Sequence, residues 1–130
     1  MKIRFPGGLN VEAEHRGFTI RTDQSTGSGG GGSAPSPFDL FLASLGTCTG
    51  YYVLAFCRKR DIPTEEIELS MALVRDEENH RIERIEITVH LPAGFPERYV
   101  DACVKSAGQC AVKKHLESPP EIVLAARTAE

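Results

Sequence analysis

Two stretches of the chain alternate apolar and polar residues with a period of two. Ile67, Leu69, Met71 and Leu73 occupy every second position of one run, and Ile85, Ile87, Val89 and Leu91 do so in the next. That period places each set on one face of a strand, and the polar segment Asp76–His80 between them predicts the turn of a hairpin. One face buried and one wet is what an antiparallel pair packed against helices requires. The N-terminal part is patterned in shorter pieces. Lys2–Phe5, a turn at Pro6-Gly7-Gly8, then Leu9–His15 and, after Arg16-Gly17, Phe18–Thr22 predict a three-stranded meander within residues 1–23. So small a sheet needs a second layer over its apolar face, which either a helix of the same chain or a second subunit must supply.

Ser36-Pro37 is a helix start, because proline at the first helical position has no amide hydrogen to leave unpaired. About two dozen residues follow before the next proline, enough for a helix about 35 Å long. Its apolar residues do not keep to one stripe, which predicts burial on nearly all sides. Cys48 lies in its middle among the small residues Ser44, Gly46, Thr47, Thr49 and Gly50. Asp61-Ile62-Pro63 ends it. Farther on, Glu97–Ala107 reads as a helix with Val100, Cys103, Val104 and Ala107 inward, broken at Gly108. A second short helix, Gln109–Leu116, carries Cys110 in its first turn and stops at Ser118-Pro119-Pro120. Glu121–Ala126 reads as a last strand. The class is α+β, with a meander, a long central buried helix, a hairpin, two C-terminal helices and a closing strand.

Residues 24–35 are rich in glycine and serine and read as a flexible loop. A phosphate cradle is disfavoured, since neither a Gly-Lys-Ser/Thr ending nor Gly-x-Gly-x-x-Gly is present. The length of 130 residues fits a single domain 1–130, with 36–130 forming the helix–sheet core. A net charge of −3 gives no basic face for nucleic acid, and Arg58-Lys59-Arg60 suits the C-terminal turn of the long helix. Asp39, two glycines and several hydroxylated residues argue against a membrane role for that helix. Met1-Lys2-Ile3-Arg4 runs straight into a strand pattern without a leader, so the expected location is the cytoplasm. The four cysteines, at 48, 57, 103 and 110, are then expected as thiols rather than a disulfide framework.

Cys48 and Cys57 are nine residues apart, half a turn out of phase, and cannot bridge each other. Cys57 and Cys103 read as core residues. Cys110 has the local setting of an activated thiol: it follows a glycine break, opens a helix, and precedes Lys113, Lys114 and His115. Cys48, deeper in its helix, would be inert unless a positive group stood beside it. A helix N-terminus contributes about 0.3–1 kcal/mol. A guanidinium about 4 Å away contributes about 4 kcal/mol at an effective dielectric near 20. A nucleophilic Cys48 therefore calls for an arginine, and Arg21 stands ahead of Arg16. A metal site would have to use Cys103, Cys110 and His115, whose spacings match no common zinc pattern. No metal or cofactor is expected.

The run Ala34-Pro35-Ser36-Pro37-Phe38-Asp39 through Cys48-Thr49-Gly50 resembles the helix opening of the OsmC/Ohr-like proteins. Gln109-Cys110-Ala111-Val112 through Leu116 is similar to that family's second cysteine segment. The resemblance implies an OsmC-like fold in an intertwined homodimer, N-terminal strands completing the partner's sheet. It also implies reduction of organic hydroperoxides: Cys48 forms a sulfenic acid, Cys110 resolves it to a disulfide, and a cellular dithiol reduces the product. Where the family's peroxidases carry a glutamate, this chain has Phe38; Asp39 beside it is the candidate substitute, and Arg21 its partner. The alternative is a non-catalytic or small-molecule-binding dimer of the same fold.

Overall fold

A computed structural model describes residues 1–129. It divides into two compact units, Met1–Ser44 and the segment from Leu45 onward.

The first unit is the expected meander. Strands β1 (Lys2–Gly7), β2 (Asn10–His15) and β3 (Phe18–Thr22) pair antiparallel in chain order. Ile3 lies opposite Ala13, and Ala13 opposite Ile20, so the alternating apolar residues share one face. The other face is charged: Arg4 pairs with Glu14 at 3.1 Å and Arg21 with Glu12 at 3.2 Å. Phe5 is 81% exposed and Phe18, Ile3 and Ile20 are exposed with it. The single chain thus leaves the apolar face of the meander largely open to water.

The glycine-rich segment after β3 is not the featureless linker expected of residues 24–35. It folds around the carboxylate of Asp23, which is buried. The amides of Gln24, Gly31 and Ser33 and the Ser33 hydroxyl all donate to that carboxylate, at 2.7 to 3.1 Å. Thr26–Ser28 forms one 3-10 turn within the loop. Gly30 is required there by space, because a Cβ would lie 2.1 Å from the Gln24 carbonyl oxygen. Glycines that free an isolated chain here let its backbone wrap a charge.

Helix α1 (Pro37–Arg58) starts where Ser36-Pro37 places it. The Ser36 hydroxyl accepts from the Asp39 amide at 3.1 Å, while the Asp39 carboxylate accepts from the Ser36 amide and hydroxyl at 2.9 and 2.8 Å. This reciprocal cap satisfies donors that a helix start leaves unpaired.

In the second unit, β4 (Glu68–Asp76) and β5 (Arg81–His90) form the hairpin, with Leu69 opposite Val89, Met71 opposite Ile87 and Leu73 opposite Ile85. Those six residues are all partly buried, as the alternation required, and Val74, Asp76 and Ile82 join them near the turn. A 3-10 turn at Glu97–Tyr99 leads into α2 (Val100–Ala107), and α3 (Ala111–Glu117) follows. The core gathers Val53, Phe56 and Cys57 of α1 with Phe95, Cys103 and Ala107, backed by Leu69 and Val89 of the hairpin.

Three expectations are corrected. The buried residues of α1 are Leu45, Thr49, Val53, Phe56 and Cys57, a single stripe, and Tyr51 is 61% exposed. One chain has only enough secondary structure to cover one side of so long a helix. Val104 is exposed rather than inward, because Cys103 and Ala107, four residues apart, face the core and Val104 lies about 100° round the helix from Cys103. Glu121–Ala126 forms no strand and pairs with none, with Leu124 91% exposed. A β-forming sequence becomes a strand only beside an edge that accepts its hydrogen bonds.

Two predictions follow from the Asp23 loop. Gly30→Ala forces backbone apart and should cost about 1–3 kcal/mol in urea unfolding; an unchanged midpoint would show that the loop yields freely. The amide and hydroxyl of Ser33, helped by Gln24 and Gly31, hold the Asp23 carboxyl below its ordinary value of 3.8. The fold binds the ionised form, so this stabilisation is complete above the unfolded-chain value and is lost as pH falls through the lowered one. Asp23→Asn should therefore destabilise the protein at pH 7 and lose most of its effect near pH 2. An equal deficit at both pH values would remove the charge from the explanation.

Candidate functional site

Three segments of the second unit bring two of the cysteines together. α1 presents Cys48 from its middle; the break at Gly108 ends α2; and Cys110 becomes the cap of α3 rather than a residue of its first turn. The Cys110 sulfur accepts from the Lys113 amide at 3.4 Å, standing in for the oxygen of a serine or aspartate cap. Its thiol faces the Leu45 carbonyl at 3.9 Å. Cys110 is fully buried, whereas Cys48 is half-buried and is the thiol that an incoming molecule can reach.

Cys48 is held below its ordinary thiol value by three donors. The largest contribution comes from the Val112 amide, followed by the Cys110 thiol and the Ala111 amide, against an opposing cost of burial. The first turn of α3 thus points its unpaired N–H groups at the sulfur of α1. From the sequence, the helix-terminus effect belongs to Cys110. In the folded chain Cys110 caps the terminus and Cys48 receives the amides. Ala111 and Val112 act through their backbone, so no side-chain signal marked them; the one legible sign was that a helix begins beside a cysteine.

Both thiols are needed in this arrangement and they differ in kind. Cys48 is an acceptor of hydrogen bonds, which favours its thiolate. Cys110 is positioned as a donor to it. Such a pair can be oxidised in steps, an exposed sulfur first and a buried neighbour second.

A cavity of about 420 Å³ lies in the same unit, bordered by Thr49, the residue after Cys48. Leu45 and Thr49 of α1, Ile85 and Ile87 of β5, and Lys113 of α3 contribute to its wall. It is apolar apart from the Thr49 hydroxyl, which donates to the Leu45 carbonyl at 2.8 Å, and Lys113, which pairs with Glu117 at 2.7 Å. The hairpin alternation marked its strand residues as inward-facing without indicating that they border open space.

The other two candidate residues belong to the first unit. Arg21 is on the charged face of the meander, its guanidinium engaged by Glu12. Asp39 is engaged by Ser36 in the cap of α1, which holds its carboxyl below the ordinary value of 3.8. Phe38 stacks against Phe41 with ring centres 5.3 Å apart. Cys57 and Cys103 are fully buried in the core, as expected. His115 Nδ1 lies 2.7 Å from the Ala111 carbonyl oxygen of its own helix.

The fold and the paired thiols define an α+β dithiol protein. The OsmC-like protein family matches residues 30–125, and the chain belongs to that family. Solved structures agree in fold. A Psychrobacter arcticus protein described as a candidate osmotic stress induced and detoxification response protein matches with a TM-score of 0.72 at 23% identity, over 87% of this chain and 84% of that one. A hypothetical protein from Aquifex aeolicus gives 0.70 at 19%, over 91% and 86%. A Legionella pneumophila protein described as organic hydroperoxide resistance protein OsmC, a predicted redox protein, gives 0.53 at 19%, over 88% and 85%. At these identities the likeness is one of fold. No curated protein matches the chain.

The donor set makes a direct prediction. Alkylation of Cys48 by iodoacetamide should show a pH midpoint below 9.0, the ordinary thiol value. Cys110→Ala removes one donor and should move that midpoint up, while Cys110→Ser, which keeps a hydroxyl, should move it less. A midpoint at or above 9.0 in the unmodified protein would contradict the assignment.

Proposed function

We propose that the chain is a thiol-dependent reductase of organic hydroperoxides working through Cys48 and Cys110. The observation that carries this is the placement of the Cys110 sulfur at the cap of α3, 3.9 Å from the carbonyl oxygen of Leu45, which lies one helical turn before Cys48. Membership of the OsmC-like family supports it, as does the hydroperoxide-resistance description of the Legionella neighbour.

In the proposed cycle the Cys48 thiolate attacks the terminal oxygen of the hydroperoxide. The O–O bond breaks, Cys48 becomes a sulfenic acid, and the departing alkoxide takes a proton from water to leave as the alcohol. The Cys110 sulfur then attacks the Cys48 sulfur, water leaves, and a disulfide forms. A cellular dithiol exchanges with that disulfide twice, restoring both thiols and becoming oxidised itself. The amides of α3 lower the cost of holding Cys48 ionised, and the apolar cavity suits the organic portion of the substrate.

The working form we infer is an intertwined homodimer in the cytoplasm. The exposed apolar face of the meander, the uncovered side of α1 and the unpaired segment Glu121–Ala126 each lack a neighbour in one chain, and a second copy supplies one for each. Arg21 adds positive charge at Cys48 in that assembly, after exchanging Glu12 for the thiolate. Asp39, already satisfied by Ser36, serves by fixing the start of α1. The competing proposal, a non-catalytic dimer that binds an apolar small molecule, draws on the cavity and on Phe38 in the place of the family's glutamate.

Turnover separates the two. With excess dithiol the protein should consume cumene hydroperoxide, and Cys48→Ser should lower the rate at least about 1000-fold. Without dithiol, Cys110→Ser should consume one equivalent of hydroperoxide and hold a sulfenic acid that dimedone traps. Unchanged hydroperoxide in all three proteins would favour the binding dimer. Arg21→Ala should slow the reaction without abolishing it, by raising the pH at which Cys48 ionises; the same pH–rate profile in both proteins would take Arg21 out of the cycle.

A further inference from the structure

The other two cysteines are also a pair. Cys57, near the end of α1, and Cys103, in α2, are both wholly shielded from solvent within one apolar cluster that includes Val53, Phe56 and Ala107. Within that cluster the two thiols are near enough to shift each other's ionisation, and both remain free. Their surroundings differ sharply from those of Cys48. Burial raises both, Cys103 to about 11, and the nearest positive group is Arg60. Arg60 itself lies 3.7 Å over the Phe56 ring and donates to the Phe56 carbonyl at 3.0 Å, so it is fixed beside the pair.

We propose that Cys57 and Cys103 are a second, slow dithiol site, closed to a disulfide by a hydroperoxide in excess, and that its closure clamps α1 to α2 from the core side. The Cys57 sulfur, in one cluster with Cys103 and with Arg60 near it, attacks the terminal peroxide oxygen. The O–O bond breaks, giving the Cys57 sulfenic acid and, after protonation, the alcohol. Cys103 then displaces water from that sulfur, so two thiols and one hydroperoxide yield one disulfide, one alcohol and one water. Direct exchange with the first pair is excluded by distance, since nine residues of α1 separate Cys48 from Cys57, about 13 Å along the axis. Burial and the absence of amide donors make the second pair slow, so it closes only when oxidant persists. The cross-link encloses the whole β4–β5 hairpin in one loop, and long closed loops restrict the unfolded chain most.

The site is tested without the chemistry of Cys48. The Cys48→Ser/Cys110→Ser variant, held for hours in excess tert-butyl hydroperoxide, should lose both remaining thiols when counted in denaturant. A non-reducing peptide map should join Cys57 to Cys103 within one chain, the melting temperature should rise by about 10 °C, and dithiothreitol should reverse all three. Persistence of both thiols, conversion to sulfinic or sulfonic acids, or cross-links between chains would overturn the proposal. If that variant does not fold, the same map of the unmodified protein decides: a Cys57–Cys103 link formed after the fast thiols are spent supports it, and two reduced core thiols refute it. Because the variant lacks Cys48 and Cys110, failure here leaves the hydroperoxide cycle untouched, and failure of that cycle leaves this site standing.

Discussion

The start of α3 against the middle of α1 is the contact on which the chemistry rests. A cysteine buried in a helix is ordinarily a poor nucleophile, because desolvation favours its neutral form. Here the first amides of another helix supply hydrogen bonds that the thiolate accepts and the thiol cannot use as well. Cys110 is necessary to the arrangement twice over. It caps α3, which fixes where those amides point, and it sets the second sulfur against the Leu45 carbonyl, one turn before Cys48. α2 ends at Gly108, and the chain turns from there to Cys110 at the start of α3.

The remaining architecture holds that contact in register. The hairpin and α2 enclose the far half of α1 through Val53, Phe56 and Phe95, which fixes the rotation of the helix that carries Cys48. At its other end the Ser36–Asp39 cap defines where the helix begins. The meander contributes a sheet with one charged face and one uncovered apolar face, and its return loop is tied to Asp23. Uncovered apolar area on this scale is a demand for a neighbour, which the proposed dimer meets.

Much of this was legible in the sequence where local rules act alone. A period of two located β4 and β5 and their inward residues, and Ser36-Pro37 located the start of α1, because both signals depend only on neighbours in the chain. The last strand failed for the opposite reason: Glu121–Ala126 has the composition of a strand but lacks a partner edge. Burial of α1 was overread because apolar residues all round a helix state what it prefers, while a single chain covers only the stripe from Leu45 to Cys57. The loop at 24–35 was misread because glycine content reports freedom in the isolated chain, and the Asp23 carboxylate removes that freedom once the chain folds. Cys48 and Cys110 were recognisable as a pair through family resemblance. The means of activating Cys48 was hidden, since backbone amides have no letter in a sequence.

The pairing of Cys48 with Cys110 is tested most directly by treating the reduced protein with one equivalent of an organic hydroperoxide and mapping its disulfides by mass spectrometry. Contact between the two sulfurs predicts one link, Cys48 to Cys110 within a single chain, formed while Cys57 and Cys103 remain reduced. A Cys48 that stays reduced, or that is found joined to any other cysteine, would contradict it.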